Sequence, residues 1–221
     1  MVRRYIDTSR RFLGAAALAT AMAGIPASSL AAEFVLDTDP FAGSTALITA
    51  GRQVVGGEPF ISFDPALDNF LIDLAVFGAY GFGPDVSFAN DEIGGIPTSG
   101  ANVIVLRTFD DDADPLTPFN AGIAANLIAN QVTSSGAGFF IYFNQGLDLP
   151  RLVFSTDLDV STADLKIIAR LTNLTGAAGR TALADFSADN FQVQAVPEPG
   201  TALLLTTGVV WAWRRRVRAA R

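Results

Sequence analysis

The sequence predicts a mainly β domain, folded as a two-sheet sandwich of which the jelly roll is one form, with one short helix near residues 118–131. Short runs rich in β-branched and aromatic residues recur between Gly, Pro, Asn and Asp turn signals. One internal segment reads clearly as helix, pairing a helix start signal with apolar residues at helical spacing. No repeat of solenoid period is present. Two further helices are expected at the ends, an N-terminal signal helix and a short C-terminal transmembrane helix.

The first element is the leader, "MVRRYIDTSRRFLGAAALATAMAGIPASSLAAEF". A basic region (Arg3, Arg4, Arg10, Arg11) precedes an apolar stretch from Phe12 to Ala23, then Pro26 and small residues. This is the pattern of a secretory signal, and the apolar stretch is too short for a membrane span. Cleavage is expected after Ser29-Leu30-Ala31, which has small residues at the −3 and −1 positions; Ala32 is the second choice for the last residue removed. Ser9-Arg10-Arg11-Phe12-Leu13 resembles a twin-arginine signal with its Phe one place early, so ordinary export is expected. The domain division is therefore 1–31 signal peptide, 32–195 secreted β-rich domain, and 196–221 tail.

Within the secreted part, "QVVGGEPFISFD" reads as two runs joined by a tight turn at Gly56-Gly57. "NFLIDLAVFGAY" fits both periods and is assigned to strand. "NVIVLRTF" (Asn102–Phe109) is a β-branched strand ending in an acidic loop. Thr117 as N-cap and Pro118 at the first helical position open the helix, with Phe119, Ile123, Leu127 and Ile128 on one face through about Gln131. "GFFIYFN" and "PRLVFSTD", separated by Asn144-Gln145-Gly146-Leu147-Asp148, form a hairpin. "LKIIARLTNL" is assigned to strand, with Leu165, Ile167, Ala169 and Leu171 on one face and Ile168 as the exception on the other, although Ser161-Thr162-Ala163-Asp164 also fits a helix capping box.

Charge is unevenly distributed. The net charge of −7 combines +3 over residues 1–32, −14 over 33–196 and +4 over 197–221. An acidic middle argues against nucleic acid, whose phosphates are bound through Lys and Arg. The chain has no Cys and no His, which excludes disulfides, zinc–thiolate sites, Cys nucleophiles and Ser-His-Asp triads.

Carboxylates remain as chemistry. "FDDDADP" places Asp110, Asp112 and Asp114 at alternate positions after a strand, and Ca²⁺ is the cation such a loop suits. The EF-hand spacing then fails, with Pro115 where Gly is needed and Ala121 where Glu is needed. The competing reading is a solvated acidic loop ahead of a helix N-terminus. Asn90-Asp91-Glu92, and Asp157 with Asp159, read as further acidic loops. Asn173-Leu174-Thr175 matches a glycosylation sequon by chance. Between the terminal segments there is no Trp, and the only Tyr are Tyr80 and Tyr142. This weighs against a sugar platform and leaves most Phe to the core.

The last element is "VPEPGTALLLTTGVVWAWRRRVRAAR". Pro197 and Pro199 hold an extended stretch around Glu198. A helix from Gly200 to Trp213 would span about 21 Å, short of the roughly 30 Å hydrocarbon core. Trp211 and Trp213 suit the interface, and Arg214, Arg215 and Arg216 would stay cytoplasmic. Val196-Pro197-Glu198-Pro199, the oily run and the Arg-rich end together closely resemble the PEP-CTERM sorting domain. The resemblance implies recognition by an exosortase-type enzyme of Gram-negative bacteria, removal of the tail, and delivery to the cell surface or exopolysaccharide matrix.

The expected function is thus a non-enzymatic exported surface or matrix protein associated with exopolysaccharide or biofilm, with the export machinery, the inner membrane and an exosortase as successive partners. No resident cofactor is expected apart from the Ca²⁺ alternative. The rivals are a secreted carbohydrate-active enzyme using a carboxylate pair, and a Ca²⁺-dependent, ice-binding or carbohydrate-binding module.

Overall fold

A β-rich chain must bury one face of each sheet, and this one does so with phenylalanine. The structure, a computed structural model, describes residues 30–194 except Pro115 and Ser134. All of the leader before Leu30 lies outside the described residues. So does the whole tail, with Pro197, Glu198, Pro199 and Arg214–Arg216, and with it the expected transmembrane helix. No helix among the described residues is long and apolar enough to cross a membrane.

The elements in order are β1 (Glu33–Leu36), β2 (Val54–Val55), β3 (Phe60–Ile61), β4 (Asn69–Asp73), α1 (Leu74–Phe77), β5 (Phe88–Asp91), β6 (Val103–Leu106), α2 (Ala121–Gln131), β7 (Gly138–Asn144), β8 (Leu149–Ser155), β9 (Leu165–Leu171), α3 (Gly176–Ala182) and β10 (Phe191–Gln194). They form two sheets. The first has the order β1-β4-β10; the second runs β2-β9-β8-β7-β6-β5, with β3 also on β9.

The architecture is mainly β with two sheets, but its pairing is not that of a jelly roll. Only β7·β8 and β8·β9 are antiparallel, while β1·β4, β10·β4, β2·β9, β3·β9, β5·β6 and β6·β7 are parallel. A jelly roll is built of antiparallel strands. Parallel neighbours need a crossover, and β6 and β7 obtain theirs from the acidic loop and α2. The expectation of a single helix is also corrected: α1 and α3 are short additional helices.

The second sheet is buried on both faces. Val103, Val105, Phe139, Ile141, Leu152 and Phe154 point toward the first sheet, where they meet Phe70, Ile72 and Phe191. Ile104, Leu106, Phe140, Tyr142 and Val153 point the other way, under α2. This explains why β6 and β7 read as unbroken apolar runs. Between the sheets, Phe63 stacks on Phe70 at 4.4 Å and on Phe186 at 5.4 Å.

Several local expectations change. The helix begins three residues late, because Asn120 is the N-cap and its Oδ1 accepts from Gly122 and Ile123 N–H. Thr117 is engaged elsewhere, its hydroxyl donating to Asp112 Oδ2 at 2.8 Å. The buried face of α2 is Ala121, Ala124, Ala125 and Ile128, with Ile123 and Leu127 only partly covered. Small alanines let the helix backbone approach the sheet. "NFLIDLAVFGAY" divides at Asp73, whose carboxylate caps α1 by accepting from Ala75 N–H at 2.8 Å. Only its first half is strand.

In β9 all four expected core residues are buried, but they do not share a face. A register shift opposite Leu152/Val153 turns Leu165 and Ile167 toward α2 and Ala169 and Leu171 toward the first sheet. A bulge inserts one residue and reverses the alternation beyond it. The hairpin of β7 and β8 forms as expected, from Gly138↔Ser155 to Asn144↔Leu149. Asp148 closes its turn at φ 54°.

Candidate functional site

The "VVGGEPFI" segment does not reverse at the expected Gly56-Gly57 turn, and the difference creates a site. β2 and β3 both pair with β9 in the same direction, Val54↔Leu165 and Phe60↔Arg170. They are one edge strand, interrupted rather than reversed. Gly57 takes φ 90°, a left-handed conformation that favours glycine. The interruption turns the Glu58 side chain inward, where it ion-pairs with Arg151 and Arg170. Glu58 is 8 % exposed.

Burial alone would raise the Glu58 carboxyl. The hydrogen bond from Arg170 at 2.7 Å, a backbone N–H and the Arg151 guanidinium overcome that effect and hold it at about 2. Arg151 also reaches the Tyr142 hydroxyl at 3.5 Å, and Asn144 Nδ2 donates to the same oxygen at 3.0 Å. Burial pushes the Tyr142 phenol upward. Arg170 lies over the exposed Phe60 ring at 4.8 Å.

A cavity of about 390 Å³ opens between β1 and this interrupted edge. Val35, Phe77 and Ile168 give it apolar walls, and Asp37, Asp39 and Lys166 give it charge of both signs. Lys166 Nζ donates to Gly56 O at 2.6 Å. Tyr80 donates its hydroxyl to Asp39 Oδ1 at 2.5 Å. That bond, with the Phe41 N–H, lowers the Asp39 carboxyl; burial and the same bond raise Tyr80 to about 12.

A carboxyl that acts as a general acid at neutral pH needs a raised pKa. Asp39 and Glu58 are both shifted downward. Asp157 is shifted upward, by burial and by its hydrogen bond with Asp159, but neither residue lines the cavity. Carboxyls in direct hydrogen bond also stand closer than the roughly 5–9.5 Å that flanks a glycosidic bond.

The acidic loop groups differently from its expected alternation. The carboxylates of Asp110, Asp111 and Asp112 come within 4.8 Å of one another, and Asp114 lies outside that group. The same carboxylates tie the loop together. Asp110 Oδ1 accepts from Ala113 N–H at 2.8 Å, Asp112 Oδ1 from Asp114 N–H at 2.9 Å, and Asp114 Oδ1 from Leu116 N–H at 2.9 Å. Asn90 and Asp91 belong to β5 rather than a loop; Asn90 Nδ2 donates to Leu183 O and Phe186 O, and Asp91 pairs with Arg107. Asn173, the sequon asparagine, accepts from Phe63 N–H at 2.8 Å and donates to Phe63 O at 3.0 Å.

Sequence reasoning passed over Glu58, Asp39, Tyr80, Arg151 and Arg170. One signal was available for Glu58, a lone carboxylate inside an otherwise apolar strand pattern. The convergence of the two arginines on it depends on strands far apart in the chain. No family model, no curated protein and no solved structure matches this chain.

Proposed function

We propose that the chain is an exported, non-enzymatic surface or matrix protein, sorted through a PEP-CTERM tail and associated with exopolysaccharide. The observation that carries this reading is that the described strands lie between the two proposed processing segments. Among the described residues, β1 starts at Glu33, immediately after the leader's cleavage region, and the last strand, β10, covers Phe191–Gln194. Both strands lie on β4 in parallel register, Glu33↔Asn69 and Gln194↔Asp73. Every strand among the described residues lies between the two proposed cleavage regions, so processing at both leaves those strands intact.

Asp39 and Glu58, held ionised by their partners, favour a binding role over that of a general acid. The cavity, with apolar walls and charges of both signs, suits a small polar unit of a larger matrix polymer. An exosortase would act on Pro197-Glu198-Pro199 while Gly200–Trp213 and Arg214–Arg216 hold the chain at the inner membrane. The two sheets enclose an apolar core in the manner of a β-sandwich, the architecture of many surface domains.

Fractionation of native cells with intact-mass analysis tests the reading. The expected product lies outside the inner membrane and lacks both the leader and the Arg-rich end. Full-length protein in the inner membrane at steady state would replace sorting with plain anchoring.

A further inference from the structure

Asp68 is a buried carboxylate, 8 % exposed, and among the described residues no Arg or Lys ion-pairs with it. One oxygen accepts from Asp64 N–H at 2.8 Å. The other accepts from Ala32 N–H at 2.7 Å. Ala32 is held on its other side too, because its carbonyl accepts from Asn69 N–H at 3.0 Å. Asn190 fixes the Asp68 backbone, with Nδ2 donating to Asp68 O at 2.7 Å. Just upstream, Leu30 is 90 % exposed.

We infer that Asp68 is the receptor for the mature N-terminus, and that the leader is cut between Ala31 and Ala32. This rests on the export reading proposed above. Hydrolysis of that peptide bond by the export machinery's peptidase consumes one water. The hydroxyl goes to the Ala31 carboxyl and the hydrogen to the Ala32 nitrogen, which takes a further proton from solvent at neutral pH. The nitrogen that now offers Asp68 one amide N–H becomes an ammonium at the same place. It supplies the positive charge that a buried carboxylate requires. Cleavage one residue later would remove Ala32, and with it both hydrogen bonds.

The test uses processed protein isolated from cells. Intact mass and terminal sequencing identify the first residue. N-hydroxysuccinimide acetate then reports amine reactivity in the folded protein and in urea. Lys166 is the only lysine in the sequence and is read separately by peptide mapping. Ala32 is expected as the first residue, with its amine acetylated at least about tenfold more slowly in the folded protein than in urea, the effect of holding it protonated by about one pKa unit. Asp68→Asn is expected to remove most of that protection. If Asp68→Asn does not fold, the wild-type ratio decides, and a ratio below about threefold overturns the ion pair. Glu33 as the first residue overturns it while leaving export standing. Retention of Met1 overturns both. Ala32 first, with an amine as reactive folded as unfolded, overturns the ion pair alone.

Discussion

Glu58 and Arg170 lie 112 positions apart in the chain and are joined by a 2.7 Å hydrogen bond from Nε to Oε1. Arg151 approaches the same oxygen from β8. The carboxylate thus ties the interrupted edge strand to the two strands inside it.

Removing that carboxylate leaves two guanidiniums partly buried without a counter-charge. Glu58→Ala is expected to cost about 3 kcal/mol, in the range for breaking a buried pair from one side. Urea unfolding measures it. Asp91→Ala, at the exposed pair with Arg107, should move the urea midpoint far less, because solvent screens that pair.

The same group sets a response to acid. A carboxyl whose folded pKa lies below its unfolded value stabilises the fold above the unfolded pKa, and the contribution fades as pH falls through the folded one. For Glu58 that window runs from its ordinary 4.5 down to about 2, and the contribution is about 3 kcal/mol. Unfolding free energies at a series of pH values should fall across this window in wild type and more shallowly in Glu58→Gln.

Tyrosine ionisation probes the cavity rim. After loss of the leader, with Tyr5, only Tyr80 and Tyr142 remain. The Tyr80 phenol is held up to about 12 by burial and by Asp39. Its contribution to stability is full below about pH 10 and is lost as pH rises through the folded value. Ultraviolet titration should show phenolate formation displaced to high pH, and Asp39→Asn should bring one of the two steps down.

Asn173 is a structural residue. Its amide closes both backbone groups of Phe63, so Asn173→Ala should cost about 1–3 kcal/mol through orphaned polar groups. Phe63→Ala, emptying the stack between Phe70 and Phe186, should cost about 3–5 kcal/mol. The intact mass of the native protein should carry no glycan at Asn173.

Glu198→Ala tests sorting at a position beyond β10 in the chain. Export should proceed, and the variant should accumulate at full length in the inner membrane. Immunoblotting of membrane and surface fractions reads the outcome. A variant that reaches the surface with normal mass would remove Glu198 from the recognition signal.

Local pattern was enough for the elements whose signal is local. The Asn144–Asp148 hairpin, the apolar runs of β6 and β7, and a helix ending at Gln131 were all legible, because turn chemistry and side-chain period act over a few residues. So were the acidic middle and the absence of Cys and His, which restrict the available chemistry. Tertiary structure decided the rest. Parallel pairing of β5, β6 and β7 depends on a crossover, which no local period records. The bulge in β9 reversed the face of Ala169 and Leu171, since one inserted residue inverts a period of two. Glu58 became a site only when β8 and β9 brought Arg151 and Arg170 to it, and Asp68 found the Ala32 N–H only when β1 aligned beside β4. Such long-range convergences are set by packing, and the burial that makes them strong exists only in the folded state.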